Sequence, residues 1–470
     1  MSVSRREFLT GCSAGIAAMA GGRVGNMVFA EDQSASGHAS TLAGTDHVFV
    51  MVFLRGGMDG LSYVVPVGDQ IYYERRAPQG ANTWNSLAVQ NTLDLNINNG
   101  GFGVSSGFGL HPQALGLHRL YQSGHAAFVH ATGLNNDTRS HFDAMDFIER
   151  GALENKNAAT GWLARHLQVV APQSTLPTVA AGNAIPSSLL GSPLASSIAS
   201  SNDYQIQGPW RYTDDDPTKN QMYTALKRMY TGDDTLNRGA KRLFQTVDAM
   251  SNALPALRTT WTSAMNPLTN LGGSFVDSLK LISQIIQAGE LNLRVATVDL
   301  GGWDHHENQG VNGGQFFNLI GTLSDGLAAF YNEITAAGMQ NRVTIAVMSE
   351  FGRRLGANLT LGTDHGHGGV MTVLGGKVNG GKLYGVWPGL ADLDQSQDLR
   401  ITTDYRAVLG EIVVNLLGND KLGTVFPGLT EGEYLAQVRG LVSNPAAQPA
   451  IDYVPAALGT TSMYLPIARR

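Results

Sequence analysis

Five almost wholly apolar runs of strand length punctuate this chain: His47–Leu54, Ala126–Ala131, Leu293–Leu300, Val343–Met348 and Val370–Leu374. A half-buried strand alternates polar and apolar residues, so a run that is apolar throughout belongs to a strand covered on both faces. Segments with helical spacing stand between several of these runs, for example Pro112–Ser123 closed by Gly124 and Gly314–Ala337 closed by Gly338. Strands alternating with helices predict an α/β fold, a doubly wound and mostly parallel sheet flanked by helices. The stretch from about 185 to 290 departs from this rhythm. It is rich in Ser, Pro and Asp to about 220 and then amphipathic through Ile286, which reads as a partly helical cap or insertion.

Residues 1–30 read as an export signal. Ser4-Arg5-Arg6-Glu7-Phe8-Leu9 leads into an apolar, small-residue run ending near Gly22, too short to span a bilayer, and Val28-Phe29-Ala30 offers small residues for cleavage after Ala30. A paired arginine before a modest apolar stretch is the pattern of twin-arginine export, which names the twin-arginine translocase and signal peptidase as partners and the periplasm or exterior as destination. Polar residues 31–44 read as a flexible leader, 45–442 as the main domain, and the Ala- and Pro-rich segment 443–470 as a surface tail.

Cys12, the one cysteine, would leave with the signal, so disulfides and thiol chemistry are excluded from the mature chain. The signal carries Arg5, Arg6 and Arg23 against Glu7, so removing its +2 takes the net charge from −6 to about −8. A mildly acidic protein with 15% charged residues is unsuited to nucleic acid, and no later segment is long and apolar enough to cross a membrane.

In open α/β sheets ligands bind at the carboxyl ends of the strands. The unusual polar clusters lie there: Arg55-Gly56-Gly57-Met58-Asp59-Gly60 after the first run, Asn135-Asn136-Asp137-Thr138-Arg139-Ser140-His141 after the second, and Gly301-Gly302-Trp303-Asp304-His305-His306-Glu307-Asn308 after the third. Ser349-Glu350-Phe351-Gly352-Arg353 follows the fourth, with Thr363-Asp364-His365-Gly366-His367-Gly368-Gly369 shortly beyond. Mixed carboxylates and imidazoles suit a divalent transition metal such as zinc or manganese better than calcium, which prefers oxygen alone. Taken singly, each residue has an ordinary use: Asp59 in a turn, Glu350 as a helix cap, His306 in a hydrogen bond. Four clusters at consecutive strand ends favour a shared site. Ser140-His141-Phe142-Asp143 has the form of a capping box, so Ser140 is either an N-cap or a hydroxyl nucleophile placed at a helix N-terminus, with Thr138 as the neighbouring alternative.

Together the paired-arginine leader, Phe53-Leu54-Arg55-Gly56-Gly57-Met58-Asp59-Gly60-Leu61, Arg139-Ser140-His141-Phe142-Asp143, Gly302-Trp303-Asp304-His305-His306-Glu307, Ser349-Glu350-Phe351-Gly352-Arg353 and Thr363-Asp364-His365-Gly366-His367-Gly368-Gly369 resemble the bacterial domain-of-unknown-function family 1501. The resemblance runs from the leader to about Leu417. More distantly it reaches the alkaline phosphatase and sulfatase superfamily, which implies a large α/β sheet holding one or two metals beside a nucleophile. On that resemblance Asp59, Asp304, His306, Glu350 and His365 or His367 are metal ligands, and Ser140 is the nucleophile. Arg139, Arg353 or Arg55 would then steady the anion. Glu350-Phe351 stands where the superfamily commonly has Asp-His, and the short Asp304–His306 spacing leaves Asp299 as a competing ligand. Without a cysteine for formylglycine, standard sulfatase chemistry is excluded. The implied activity is a metal-dependent hydrolase or transferase acting on a phosphate or related anionic ester. The alternative is a non-catalytic envelope protein that binds a glycan-type ligand.

Overall fold

The computed structural model describes residues 45–442 apart from 78–85, 96, 100–101, 105, 154–157, 173, 201–216, 254–259, 265, 267–269 and 438–439. The expected signal, leader and tail lie outside the described residues. The core is a nine-stranded sheet. Its strands are β1 (Val48–Arg55), β2 (Ala126–Gly133), β3 (Thr178–Ala181), β4 (Ser197–Ile198), β5 (Val295–Gly301), β6 (Val343–Ser349), β7 (Gly369–Gly375), β8 (Lys382–Tyr384) and β9 (Thr403–Asp404). They lie in the order β8-β2-β7-β6-β1-β5-β3-β4, with β9 also paired to β2.

All neighbours are parallel except those of β7, which runs antiparallel to both β6 and β2. Parallel pairs need a crossover, and helices supply it elsewhere; residues 350–368 between β6 and β7 form no helix, as an antiparallel neighbour permits. All five apolar runs are strands, and β1 lies at the middle of the sheet, with Phe49 opposite Val295 on one side and Thr344 on the other.

The two-residue period of β1 divides its side chains between two cores. Val48, Val50, Val52 and Leu54 join Leu117 and Leu120 of helix Leu115–Gln122, Leu279 and Ile282 of helix Ser274–Gln287, and Phe316, Ile320 and Leu323 of helix Gln315–Ala336. Phe49, Met51 and Phe53 face the opposite way. They meet Phe147 and Ile148 of helix His141–Arg150, Trp162 and Leu163 of helix Trp162–Val170, and Val408 and Ile412 of helix Tyr405–Asn415. Each such residue is worth several kcal/mol: truncating buried Phe316 to alanine should cost about 3–5 kcal/mol. Between 185 and 290, helices Pro217–Met229 and Thr235–Ala253 share a small cluster of Leu226, Tyr230, Ala240 and Phe244. Strand β4, from the same stretch, extends the central sheet.

The consequence for function is geometric. The carboxyl ends of β1, β2, β5 and β6 lie on one edge, and because β7 is reversed the segment leading into it, Thr363–Gly368, reaches that edge too.

Candidate functional site

Two glycines let the strand-end loops close on one another. Gly56 has φ +122°, and a Cβ there would stand 2.6 Å from the backbone nitrogen of Asp304. Gly57 has φ +64°, and its Cβ would meet the Phe351 ring at 2.5 Å. Only glycine adopts such backbone at this spacing, so the turn after β1 brings loop 301–308 and residue 351 together.

Asp304 lies at the centre of what they assemble. Its Oδ1 is 3.0 Å from His306 Nε2 and 3.2 Å from His365 Nε2, and its Oδ2 is 3.4 Å from His141 Nε2. His306 Nε2 and His365 Nε2 are 2.8 Å apart. The three inward nitrogens come from different segments: the loop after β5, the approach to β7, and the first residue of helix His141–Arg150. Asp304 and His306 keep roughly half their side-chain surface exposed, so the cluster opens to solvent.

The outer nitrogens decide what this cluster can bind. His141 Nδ1 is 2.6 Å from Glu350 Oε1, His306 Nδ1 is 3.1 Å from Asp364 Oδ1, and His365 Nδ1 is 2.7 Å from the carbonyl of Arg139. A carbonyl can only accept. Burial would raise both acids, but hydrogen bonds dominated by His141 for Glu350 and by Asn358 and His306 for Asp364 hold them below the ordinary carboxylate range, so they too accept. Each neutral imidazole therefore carries its proton on Nδ1 and turns an Nε2 lone pair inward. Burial also acts to raise Asp304, yet the Arg353 guanidinium bonded to it brings it down to about 2. Three imidazole lone pairs and one carboxylate thus converge, and His141 Nε2 is buried without a hydrogen-bond partner. His141, Asp304 and His365 offer atoms within 4.8 Å of one another, close enough for one cation, and His306 Nε2 adjoins them with Arg353 Nη1 at 3.5 Å. Backing each ligand imidazole with a carboxylate or carbonyl is how proteins orient metal-binding histidines. Imidazoles with a carboxylate, open on one side, suit a zinc- or manganese-like ion.

A family profile described as "Protein of unknown function (DUF1501)" matches residues 46–405. The chain belongs to this family. Among curated proteins none matches it. Solved structures similar to it include wild-type alkaline phosphatase PafA, at 10% identity over 67% of this chain and 64% of that one, with TM-score 0.25. Alkaline phosphatase from the Antarctic bacterium TAB5 is 11% identical over 72% of this chain and 94% of that one, with TM-score 0.26. The chain spans a little under two thirds of the length of PafA. Scores this low carry no argument about the reaction.

Within this DUF1501 chain the expected residues separate. Asp304, His306 and His365 meet, and His141 joins them. The sequence marks Ser140 as the hydroxyl and not His141 as a ligand, although an imidazole at the first position of a helix following a strand end is itself a signal. Asp304 is therefore the cluster's acid. Asp299 is not, since it pairs with Arg55 at 2.8 Å.

Several other expected residues lie outside the cluster. Asp59 is not with the ligands: it is buried, caps the short helix Gly60–Tyr63, and pairs with Arg76. Glu350 supports the site without being part of it, because its carboxylate accepts from His141, from the backbone N–H of Gly56 at 2.8 Å and from Ser349 Oγ at 2.9 Å. Arg353 is almost wholly buried and its donors are spent on the carbonyls of Gly57, Gly56 and Thr363, on Asp304 and, at 3.5 Å, on His306 Nε2, so it pins loops together and presents nothing to a ligand. His367 lies in a second group, its Nδ1 2.7 Å from Asp394, with Asp137 nearby.

Arg139 is likewise engaged, its guanidinium paired with Asp398 and Gln395, and it serves the cluster through its carbonyl. Ser140 is an exposed N-cap whose Oγ accepts the Asp143 N–H at 3.4 Å. Thr138 Oγ1 in turn accepts the Ser140 N–H at 3.2 Å. His305, beside His306, turns into the core against Phe316. Phe351 packs its ring on those of His141 and His365, at 4.8 and 4.9 Å between centroids.

Proposed function

We propose that this chain is an exported, metal-dependent hydrolase or transferase acting on a phosphate or related anionic ester, with the ion held by His141, Asp304, His306 and His365. The observation that supports this reading is the gathering of His141, Asp304 and His365 within 4.8 Å of one another, with His306 Nε2 beside them, at an open strand-end site. A divalent ion bound there would polarise the ester's non-bridging oxygens and offset developing charge. Ser140, immediately before ligand His141, is the hydroxyl the chain offers. Its Oγ would bond to the ester's phosphorus as the bond to the leaving oxygen breaks, and the serine proton would end on the released alcohol. Because Arg55, Arg139 and Arg353 are engaged elsewhere, the anion would rest on the positive N-terminal end of helix His141–Arg150 rather than on a guanidinium.

That same commitment of the arginines supports a second reading, a non-catalytic envelope protein that binds a glycan-type ligand. No helix among the described residues is long and apolar enough to cross a membrane. The discriminating experiment is metal analysis of protein purified without chelator, followed by phosphomonoester and phosphodiester assays with and without chelation. Bound metal and chelator-sensitive turnover support the enzyme. Bound metal without turnover of any ester supports the binding protein, and absence of metal overturns the enzyme and leaves the binding protein standing.

A further inference from the structure

We infer that Arg76 is a built-in cation for the first-strand aspartate, and that the site consequently takes one metal ion rather than two. This rests on the metal reading above, and it concerns Asp59, which the family resemblance makes a metal ligand. Asp59 is 2% exposed and Arg76 wholly buried. The two meet as a fork, Nη1 to Oδ2 at 2.5 Å and Nη2 to Oδ1 at 3.0 Å. Gln309 Nε2 and Ser62 Oγ each donate to Oδ2 at 2.7 Å, and the Ser62 N–H donates to Oδ1 at 3.3 Å.

An ionised carboxylate offers about four lone-pair sites, and five donors already surround this one. Gln309 cannot turn to free it, because its Oε1 is held by Thr363 Oγ1 at 2.9 Å. A metal at Asp59 would have to displace the guanidinium, leaving a buried cation beside a divalent one with no water to screen them. Two charges of one sign at that depth do not coexist, so the position is closed. Glu350, the other acid expected as a ligand but outside the cluster, is spent on His141, Gly56 and Ser349.

The test counts metal and follows stability in the full chain loaded with zinc or manganese. In protein carrying His367→Ala, which disables the separate group of Asp137, His367 and Asp394, elemental analysis should find one ion per chain, kept when Asp59→Asn is added and lost when His306→Ala is added. Asp59→Asn should lower the melting temperature by at least about 5 °C, because it strands a buried guanidinium, and by the same amount with chelator as without. Asp59→Asn combined with Arg76→Met should recover most of that loss. Two ions per chain, one of them lost in Asp59→Asn, would overturn the inference, as would a destabilisation that disappears on chelation. Wild-type protein without metal would sink the metal reading and the count of one with it, whereas two ions sink only the count.

Discussion

His306 and His365 meet Nε2 to Nε2 at 2.8 Å, although their outer nitrogens are both committed as donors. Neither inward nitrogen has a proton to offer while the rings are neutral, and the Arg353 guanidinium, 3.5 Å from His306 Nε2, is the positive charge beside the pair. The backing acids should therefore matter to metal affinity without touching the metal. Glu350→Gln keeps an acceptor for His141 but removes its charge. Its metal dissociation constant should rise about 10- to 100-fold at unchanged stoichiometry, read by competition with a fluorescent chelator. An unaltered constant would mean that His141 is not a ligand.

A second prediction concerns acid. Burial lowers His111, His130 and His166 to about 4 and His47 to about 3. His111 and His130 show why: each donates from Nε2 to a carbonyl, Val311 or Val64, and accepts a backbone N–H at Nδ1, so a second proton has no place. The unfolded chain binds these protons near pH 6.5 and the folded one does not. Stability is thus complete above 6.5 and falls as pH drops towards 4, by up to about 3 kcal/mol per residue. Urea midpoints at pH 7.5, 5.5 and 4.5, measured in chelator to remove any metal contribution, should decline in that order. A flat series would show that these rings protonate within the fold.

These cases mark how far the sequence could be read. Apolar runs announce strands because burial on both faces leaves no polar positions, and the histidine loops could be placed at strand ends for the same reason. Partnership could not be read. Asp59 and Arg76 are 17 positions apart, and nothing local says that a buried guanidinium will claim that carboxylate. His365 and His367 differ by two residues, yet one turns to Asp304 and the other to Asp394, a divergence set by where the approach to β7 crosses the neighbouring loops.

Export is predicted to depend on the arginine pair. Replacing both Arg5 and Arg6 by lysine keeps the charge and the apolar run, so only recognition of the guanidinium pair is removed. Precursor should accumulate in the cytoplasm while the periplasmic fraction empties, as read by immunoblot of the two fractions. An unchanged periplasmic yield would assign export to another route.

The last prediction separates a nucleophile from a cap at Ser140. The cap bond is long, 3.4 Å to the Asp143 N–H, and solvent-exposed, so its loss should cost no more than about 1 kcal/mol. Ser140→Ala removes cap and hydroxyl together and confounds the two roles. Ser140→Asn does not, since asparagine caps about as well as serine but cannot form the same covalent ester. The Asn variant should therefore melt within a degree or two of wild type, hold its metal, and lose nearly all turnover on whichever ester the assays identify. Retained metal matters because His141 follows directly in the chain, and a shifted helix start would displace that ligand. Full activity in a variant of normal stability would eliminate Ser140 as nucleophile. The same substitution at Thr138, whose hydroxyl accepts the Ser140 N–H, would then be the next to make.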